Sequence, residues 1–264
     1  MPTFEAMDMN GKVALVVGAS RGIGAVTAQA FAQAGAAVVL AARDKQALDS
    51  VAAGIKGETL VVQVDVGDED SVRNLVENTL AAYGRLDAAF NNATDGPMPA
   101  PLAEIDTEQF DRGIRANIRG TFLGMKYQIP AMLRGDGGCV VNMASLAGVR
   151  GVANLAAYVA GKAGIIGLTK VAALDYADHN VRVNALAPGT ILTHHLQRAG
   201  EQAQQAAARS APMGRIGQAD EVADVVLWLC SEQSSYITGA VIPIDGGQAA
   251  GVKPPRMYRP GEPM

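Results

Sequence analysis

Short apolar runs alternate with longer stretches of helical spacing along most of the chain. Near-continuous runs of Val, Ala, Leu and Ile at 12–17, 37–41, 59–64, 86–90, 139–143, 181–186 and 240–244 predict seven strands. Runs without polar alternation suit strands covered on both faces, so a parallel sheet with helices above and below it is expected. The stretches 22–34, 69–83, 156–176 and 220–230 read as helices. This rhythm predicts repeated βαβ units: one α/β domain over 1–264, built on a doubly wound, parallel, seven-stranded sheet.

Two segments break the rhythm. Residues 190–215 are polar, rich in Ala and Gln, and carry His194 and His195 between the sixth and seventh strands. A helical flap over a substrate is expected there. The tail, 248–264, is rich in Pro and Gly and is expected to be irregular.

Composition narrows the class. Of 264 residues, 49% are apolar and 18% charged, enough to bury a full core. A net charge of −4 argues against a nucleic-acid partner. Cys139 and Cys230 lie in apolar runs and are expected as buried free thiols. The first residues show no basic start followed by an apolar core, and no apolar run of about 18 residues stands out. The expectation is a cytoplasmic protein with no secretion signal and no membrane span.

The first strand leads into Gly18-Ala-Ser-Arg-Gly22-Ile-Gly24, which opens a helix and is followed by a second strand. Glycines permit a tight turn and close approach of the backbone to a pyrophosphate, and the helix N-terminus offers N–H groups to it. Strand, loop, helix and strand in this order predict a Rossmann-type nucleotide site. Ser20, Arg21 and Ile23 are its other expected contacts. The second strand ends Ala41-Ala42-Arg43, with no acid to bind a ribose 2′-hydroxyl. Arg43, joined by Arg21, suits a 2′-phosphate, so NADP(H) is expected over NAD(H). Asp44 falls too late and should start the next helix. Asp65, with Val66 beside it, ends the third strand where a carboxylate can meet the adenine amino group. Asp68 suits a helix cap instead.

The stretch 143–164 is almost wholly small and apolar, yet carries Ser145, Tyr158 and Lys162. A desolvated ammonium is costly, so an apolar helix does not take up a Lys without a reason. Tyr158 and Lys162 are spaced i, i+4 and share one helical face.

Taken in order, Gly18-x-x-x-Gly22-x-Gly24, Asp65, Asn91-Asn92-Ala93, Asn117, Ser145, Tyr158-x-x-x-Lys162, Asn184 and Pro188-Gly189 resemble the short-chain dehydrogenase/reductase family over residues 10–247. The resemblance implies reversible hydride transfer between NAD(P) and a carbonyl/alcohol pair. It implies that Tyr158 is the acid–base group, its phenol favoured as phenolate by the nearby ammonium of Lys162. Lys162, with Tyr158, would also bind the nicotinamide ribose. Ser145 would donate to the substrate oxygen, and Asn117 would hold a water that extends a proton relay. Asn92, Ala93, Pro188 and Gly189 would pass the nicotinamide, with the backbone of Ile191 and the hydroxyl of Thr193 on its carboxamide.

Two positions depart from the family pattern. Val17 replaces a common Thr before the glycine loop. Thr94 replaces the Gly that usually follows Asn-Asn-Ala, and its β-branched bulk is expected to reshape the substrate pocket. That pocket would be formed by Thr94, Ser145, Tyr158 and His194. Adjacent histidines point different ways on a helix, and no Cys or carboxylate completes a set with them, so no metal is expected.

Helix 156–176 carries Ala157, Ala160, Ala163, Gly164 and Gly167, which permit close approach of another helix. With the resemblance, this implies a homo-oligomer, a tetramer ahead of a dimer. Arg256 and Tyr258 of the tail would then be near a neighbour's site. The leading reading is a carbonyl reductase or alcohol dehydrogenase acting on a small molecule. The alternative is a 3-oxoacyl-thioester reductase acting on an acyl carrier or coenzyme A, for which Arg112, Arg115 and Arg119 offer basic charge. A non-catalytic nucleotide-binding regulator is the third reading.

Overall fold

The computed structural model describes residues 7–96 and 98–251. Its strands are β1 (Val13–Val17), β2 (Ala37–Ala42), β3 (Thr59–Gln63), β4 (Ala88–Asn91), β5 (Gly138–Met143), β6 (Val181–Pro188) and β7 (Val241–Ile244). They form one sheet in the order β3-β2-β1-β4-β5-β6-β7, every pairing parallel. The seven expected strands are all present, with ends moved by one or two residues. Chain direction across the sheet reverses between β1 and β4, and in open sheets of this kind a ligand crevice forms at that point.

The two-residue period of a strand divides the core. Ala14 and Val16 of β1 join Phe31, Leu40, Phe90 and Val226 on one face. Val13, Leu15 and Val17 join Leu75, Leu123, Val140 and Val183 on the other. The first face is covered by α1 (Gly22–Gln33), α2 (Lys45–Ala53) and α10 (Ala219–Cys230). The second is covered by α3 (Glu69–Tyr83), α5 (Gly120–Met132) and α7 (Ala156–Tyr176). Asp44 and Asp68 cap α2 and α3, each accepting from the backbone N–H three residues on. Cys139 is buried, Cys230 is partly exposed, and both are free thiols.

Helix α4 (Thr107–Ile114) does not run smoothly into α5. The two are joined by a five-residue π-helical turn, Arg115–Arg119, which the apolar pattern did not signal. Such turns are rare and frequently lie at functional sites. The flap folds as α8 (His194–Arg198) and α9 (Glu201–Ser210). The described end of the chain is held in place: Asp245 accepts from the N–H groups of Gly247 and Ala249, and Arg150 donates to the carbonyl of Gln248. Arg256 and Tyr258 lie outside the described residues.

One expectation needs correction. The stretch Ala156–His179 is long and apolar enough to cross a membrane. It is nonetheless a core helix, with Ala157, Ile165, Ala172 and Ala173 buried and Lys162 only 1% exposed.

Candidate active site

A cleft of about 890 Å³ opens at the switch point, lined by the glycine loop, the ends of β2 and β3, the turn after β4 and Thr193, Arg198 and Ala199 of the flap. At its phosphate end, Gly18 and Gly22 hold φ of +86° and +56°, the left-handed region that favours glycine. Gly24 has ordinary backbone angles, but a Cβ there would collide with the carbonyl oxygen of Gly18 and stand 2.8 Å from Asn92 Nδ2. The same amide nitrogen of Asn92 donates to the Gly18 carbonyl at 3.1 Å, tying the loop to β4. Arg21, the N-cap of α1, supplies no side-chain cap, and no acid stands in the first turn. No acid within that turn therefore opposes an anion at the helix N-terminus. Ser20, Arg21, Gly22 and Ile23 line the cleft. A dinucleotide pyrophosphate fits this cradle.

At the other end, Arg43 lies exposed at the close of β2, its Nη1 3.7 Å from Asp95 Oδ2. Asp65 lines the cleft with Val66. Its carboxylate accepts from Gly67 N at 2.9 Å and from Arg115 Nη2 at 3.2 Å, so it is already held before any adenine reaches it. Val66 also packs where a side chain on Gly120 would intrude.

The residues expected to carry the reaction come together beyond the cleft lining. Ser145 follows the end of β5 by two residues and caps the short helix α6 (Leu146–Val149), its Oγ accepting from Ala147 N at 3.1 Å. Tyr158 and Lys162 lie one turn apart on α7, with Lys162 Nζ 5.5 Å from the Tyr158 ring centroid. Lys162 donates to the Met143 carbonyl at 2.8 Å. Burial pushes its ammonium down to about 7. Burial also pushes the Tyr158 phenol up, and a hydrogen bond with Ser145 offsets part of that. This differs from the expected lowering by Lys162. Desolvation penalises both charged forms, and it depresses the Lys162 ammonium itself, so burial dominates at the phenol.

Asn117 lies fully buried in the π turn. Its Nδ2 donates to Asp95 O at 2.6 Å and Gly113 O at 2.8 Å, and its Oδ1 accepts from Thr94 Oγ1 at 2.9 Å. Both amide hydrogens are committed, so a water held by this side chain must donate to it. A side chain on Gly161 would stand 2.9 Å from Asn117 Cβ. Glycine there lets the π turn touch α7 beside Lys162.

A family model described as Enoyl-(Acyl carrier protein) reductase matches residues 18–249 of this chain. The chain belongs to the short-chain dehydrogenase/reductase family. It is 42% identical over 247 residues to a 2,5-dichloro-2,5-cyclohexadiene-1,4-diol dehydrogenase of Sphingobium indicum, covering 92% of this chain and 99% of that one. It is 40% identical over 244 residues to a 3-oxoacyl-[acyl-carrier-protein] reductase of Thermotoga maritima, covering 91% and 99%. The crystal structure of levodione reductase superposes with a TM-score of 0.88 at 35% identity, covering 92% and 100%. Within this family the chain is an oxidoreductase of the alcohol/ketone type, built on the seven-stranded Rossmann-type sheet described above.

The other family positions divide into two groups. Asn92, Ala93, Thr94 and Thr193 line the cleft. Pro188 ends β6, and Gly189 N donates to Ile244 O at 3.0 Å. Ile191 bridges Gly217 through Thr190 O and Leu192 N, which turns its own N–H and C=O away from Gly217. Asn184, by contrast, is structural: it joins β6 to the entry of β7 through Ile237 O and Ala240 N. His194 and His195 open α8, but their side chains lie outside the described residues.

Sequence reasoning missed Asp95, Gly96 and Gly161. A Cβ added to Gly96 would come within 3.8 Å of the Tyr158 ring, so the turn after β4 passes near it. The only signal was position, directly after Asn-Asn-Ala-Thr.

Proposed function

We propose that the chain is an NADP(H)-dependent dehydrogenase/reductase that interconverts a small secondary alcohol and its ketone. The observation that carries this reading is the buried Lys162 beside the Tyr158 ring, with Ser145 at the phenol. Bound nicotinamide supplies or accepts the hydride. Tyr158 passes the proton to or from the substrate oxygen, and Ser145 donates a hydrogen bond to that oxygen as charge develops. Lys162 would bind the nicotinamide ribose and, together with the cationic ring of the oxidised cofactor, would favour the phenolate that burial alone disfavours, and Asn117 would close the proton path behind it. Gly18, Ser20, Arg21, Gly22, Ile23 and Gly24 hold the pyrophosphate, and Asp65 and Val66 the adenine.

The exposed guanidinium of Arg43, set across the cleft from Asp95, supports NADP(H). A 2′-phosphate offers it a doubly charged partner in place of a distant carboxylate. The similarity to a cyclohexadiene-diol dehydrogenase supports a cyclic secondary alcohol or ketone as substrate class. The thioester reading has the Thermotoga relative in its favour. Arg115 donates to Gly67 O and Asp65 and Arg119 to Gly67 O, and both arginines stay exposed beside Arg112. Exposed Phe122, Val171 and Leu174 on α5 and α7 support a homo-oligomer, a tetramer ahead of a dimer.

The test is NADPH oxidation with a panel of cyclic ketones and 3-oxoacyl thioesters, repeated with NADH. Turnover of cyclic ketones with NADPH preferred is expected. Turnover of thioesters alone overturns the substrate class, and a clear preference for NADH overturns the cofactor.

A further inference from the structure

Thr94 stands where the family pattern leads one to expect glycine; it is exposed and lines the cleft, yet its hydroxyl is bonded to a buried side chain. Thr94 Oγ1 lies 2.9 Å from Asn117 Oδ1. The opposite side of that amide is fixed by two main-chain carbonyls, Asp95 O and Gly113 O. Only one amide orientation satisfies all three contacts, because a flip would set Oδ1 against two carbonyl oxygens. We propose that Thr94 is a positioning residue for proton transfer: its hydroxyl locks the Asn117 amide, which holds the turn at 94–96 near Tyr158.

The contacts form a closed path. Asn117 grips the Asp95 carbonyl, and the next residue, Gly96, faces the Tyr158 ring at a distance that an added Cβ would close to 3.8 Å. On its other side, Asn117 abuts Gly161, the residue before Lys162. A change in the amide therefore moves two walls of the Tyr158–Lys162 pair together. A buried amide oxygen left without its donor is also expensive, which drives rearrangement rather than a tolerated gap. Small displacements matter at this site, since a misplacement of about 1 Å can lower a rate by about a hundredfold.

This inference rests on Tyr158 being the acid–base group, so the experiment carries Tyr158→Phe as a control. Thr94→Val keeps the shape and removes the donor. Thr94→Ala removes both the donor and the β-branch, and serves if the valine variant folds poorly. Thr94→Ser keeps the hydroxyl. Measured are kcat, substrate KM, cofactor Kd by fluorescence titration, and the solvent deuterium isotope effect on kcat.

The expected result is a fall in kcat of about tenfold for Val and Ala, consistent with displacement well under 1 Å. Substrate KM and cofactor Kd hold, the solvent isotope effect rises, and Ser restores native values. Native kcat and isotope effect in both donor-free variants overturn the inference. So does a change confined to substrate KM, which assigns Thr94 to the pocket wall instead. Retained activity in Tyr158→Phe overturns the acid–base reading itself, and is distinguishable because it does not involve Thr94.

Discussion

The phosphate end of the cleft and the Tyr158 cluster beyond its lining are built by different means. The phosphate end is backbone: Gly18 and Gly22 supply left-handed turns, Gly24 supplies clearance, and α1 supplies uncapped N–H groups. The Tyr158 cluster is side chain. Ser145, Tyr158, Lys162, Asn117 and Thr94 come from four places in the fold and meet through hydrogen bonds and close packing. Backbone sites fail through sterics, whereas side-chain sites fail through lost protons or lost orientation. The comparison teaches that one of the two can be broken without unfolding the other.

The largest effect is expected at the backbone end. Gly24→Ala places a methyl group against the Gly18 carbonyl and Asn92. Isothermal titration should show cofactor binding lost, with stability lowered by about 1–3 kcal/mol, the usual penalty of overpacking. Gly22→Ala meets nothing within 4 Å and bears only backbone strain, of about 1–2 kcal/mol. Equal damage from both would mean that conformation, not clearance, governs the loop.

Next is Lys162→Met. The folded chain depresses this ammonium from its ordinary 10.5 to about 7, because burial removes its water. Between those two values the unfolded chain binds more protons than the folded one, so native stability falls as pH drops from about 10.5 to about 7. The methionine variant lacks that loss. Its Tm at pH 7 should exceed the native value by a few degrees, and its Tm should vary less between pH 7 and 10, while turnover disappears. A methionine variant that is less stable at pH 7 would show that the Met143 bond outweighs desolvation.

The smallest effect is at the rim. Arg43 is exposed and its ion pair with Asp95 is long, so it adds little to stability. Arg43→Ala should leave Tm unchanged and lower the preference for NADPH over NADH by about tenfold, through loss of a charge-assisted contact. An unchanged ratio would move 2′-phosphate recognition to Arg21.

The difference between the two also sets what could be read from the sequence. Apolar runs and their spacing located all seven strands and the helices 69–83 and 156–176, because burial on both faces leaves a continuous signal. The glycine loop was legible because each glycine answers a local backbone need. Ser145, Tyr158 and Lys162 were legible as polar residues in an apolar stretch, supported by spacing and family resemblance. The π turn at 115–119 was not legible, since it is set by how Asn117 and Gly161 meet across the fold. Nor was the Thr94 hydroxyl's partner, which lies 23 residues away. The Tyr158 phenol ran against expectation for the same reason: charge proximity can be inferred from i, i+4 spacing, but depth of burial cannot.

The central claim is that Tyr158 transfers the proton in a chain whose pyrophosphate cradle is built independently of it. Tyr158→Phe tests it most directly, with kcat and NADPH affinity measured on the same preparation. The account predicts that kcat falls by about a hundredfold or more, as loss of a general acid–base group requires, while NADPH Kd changes by less than about twofold. Turnover within about tenfold of native, at undisturbed NADPH affinity, would contradict it.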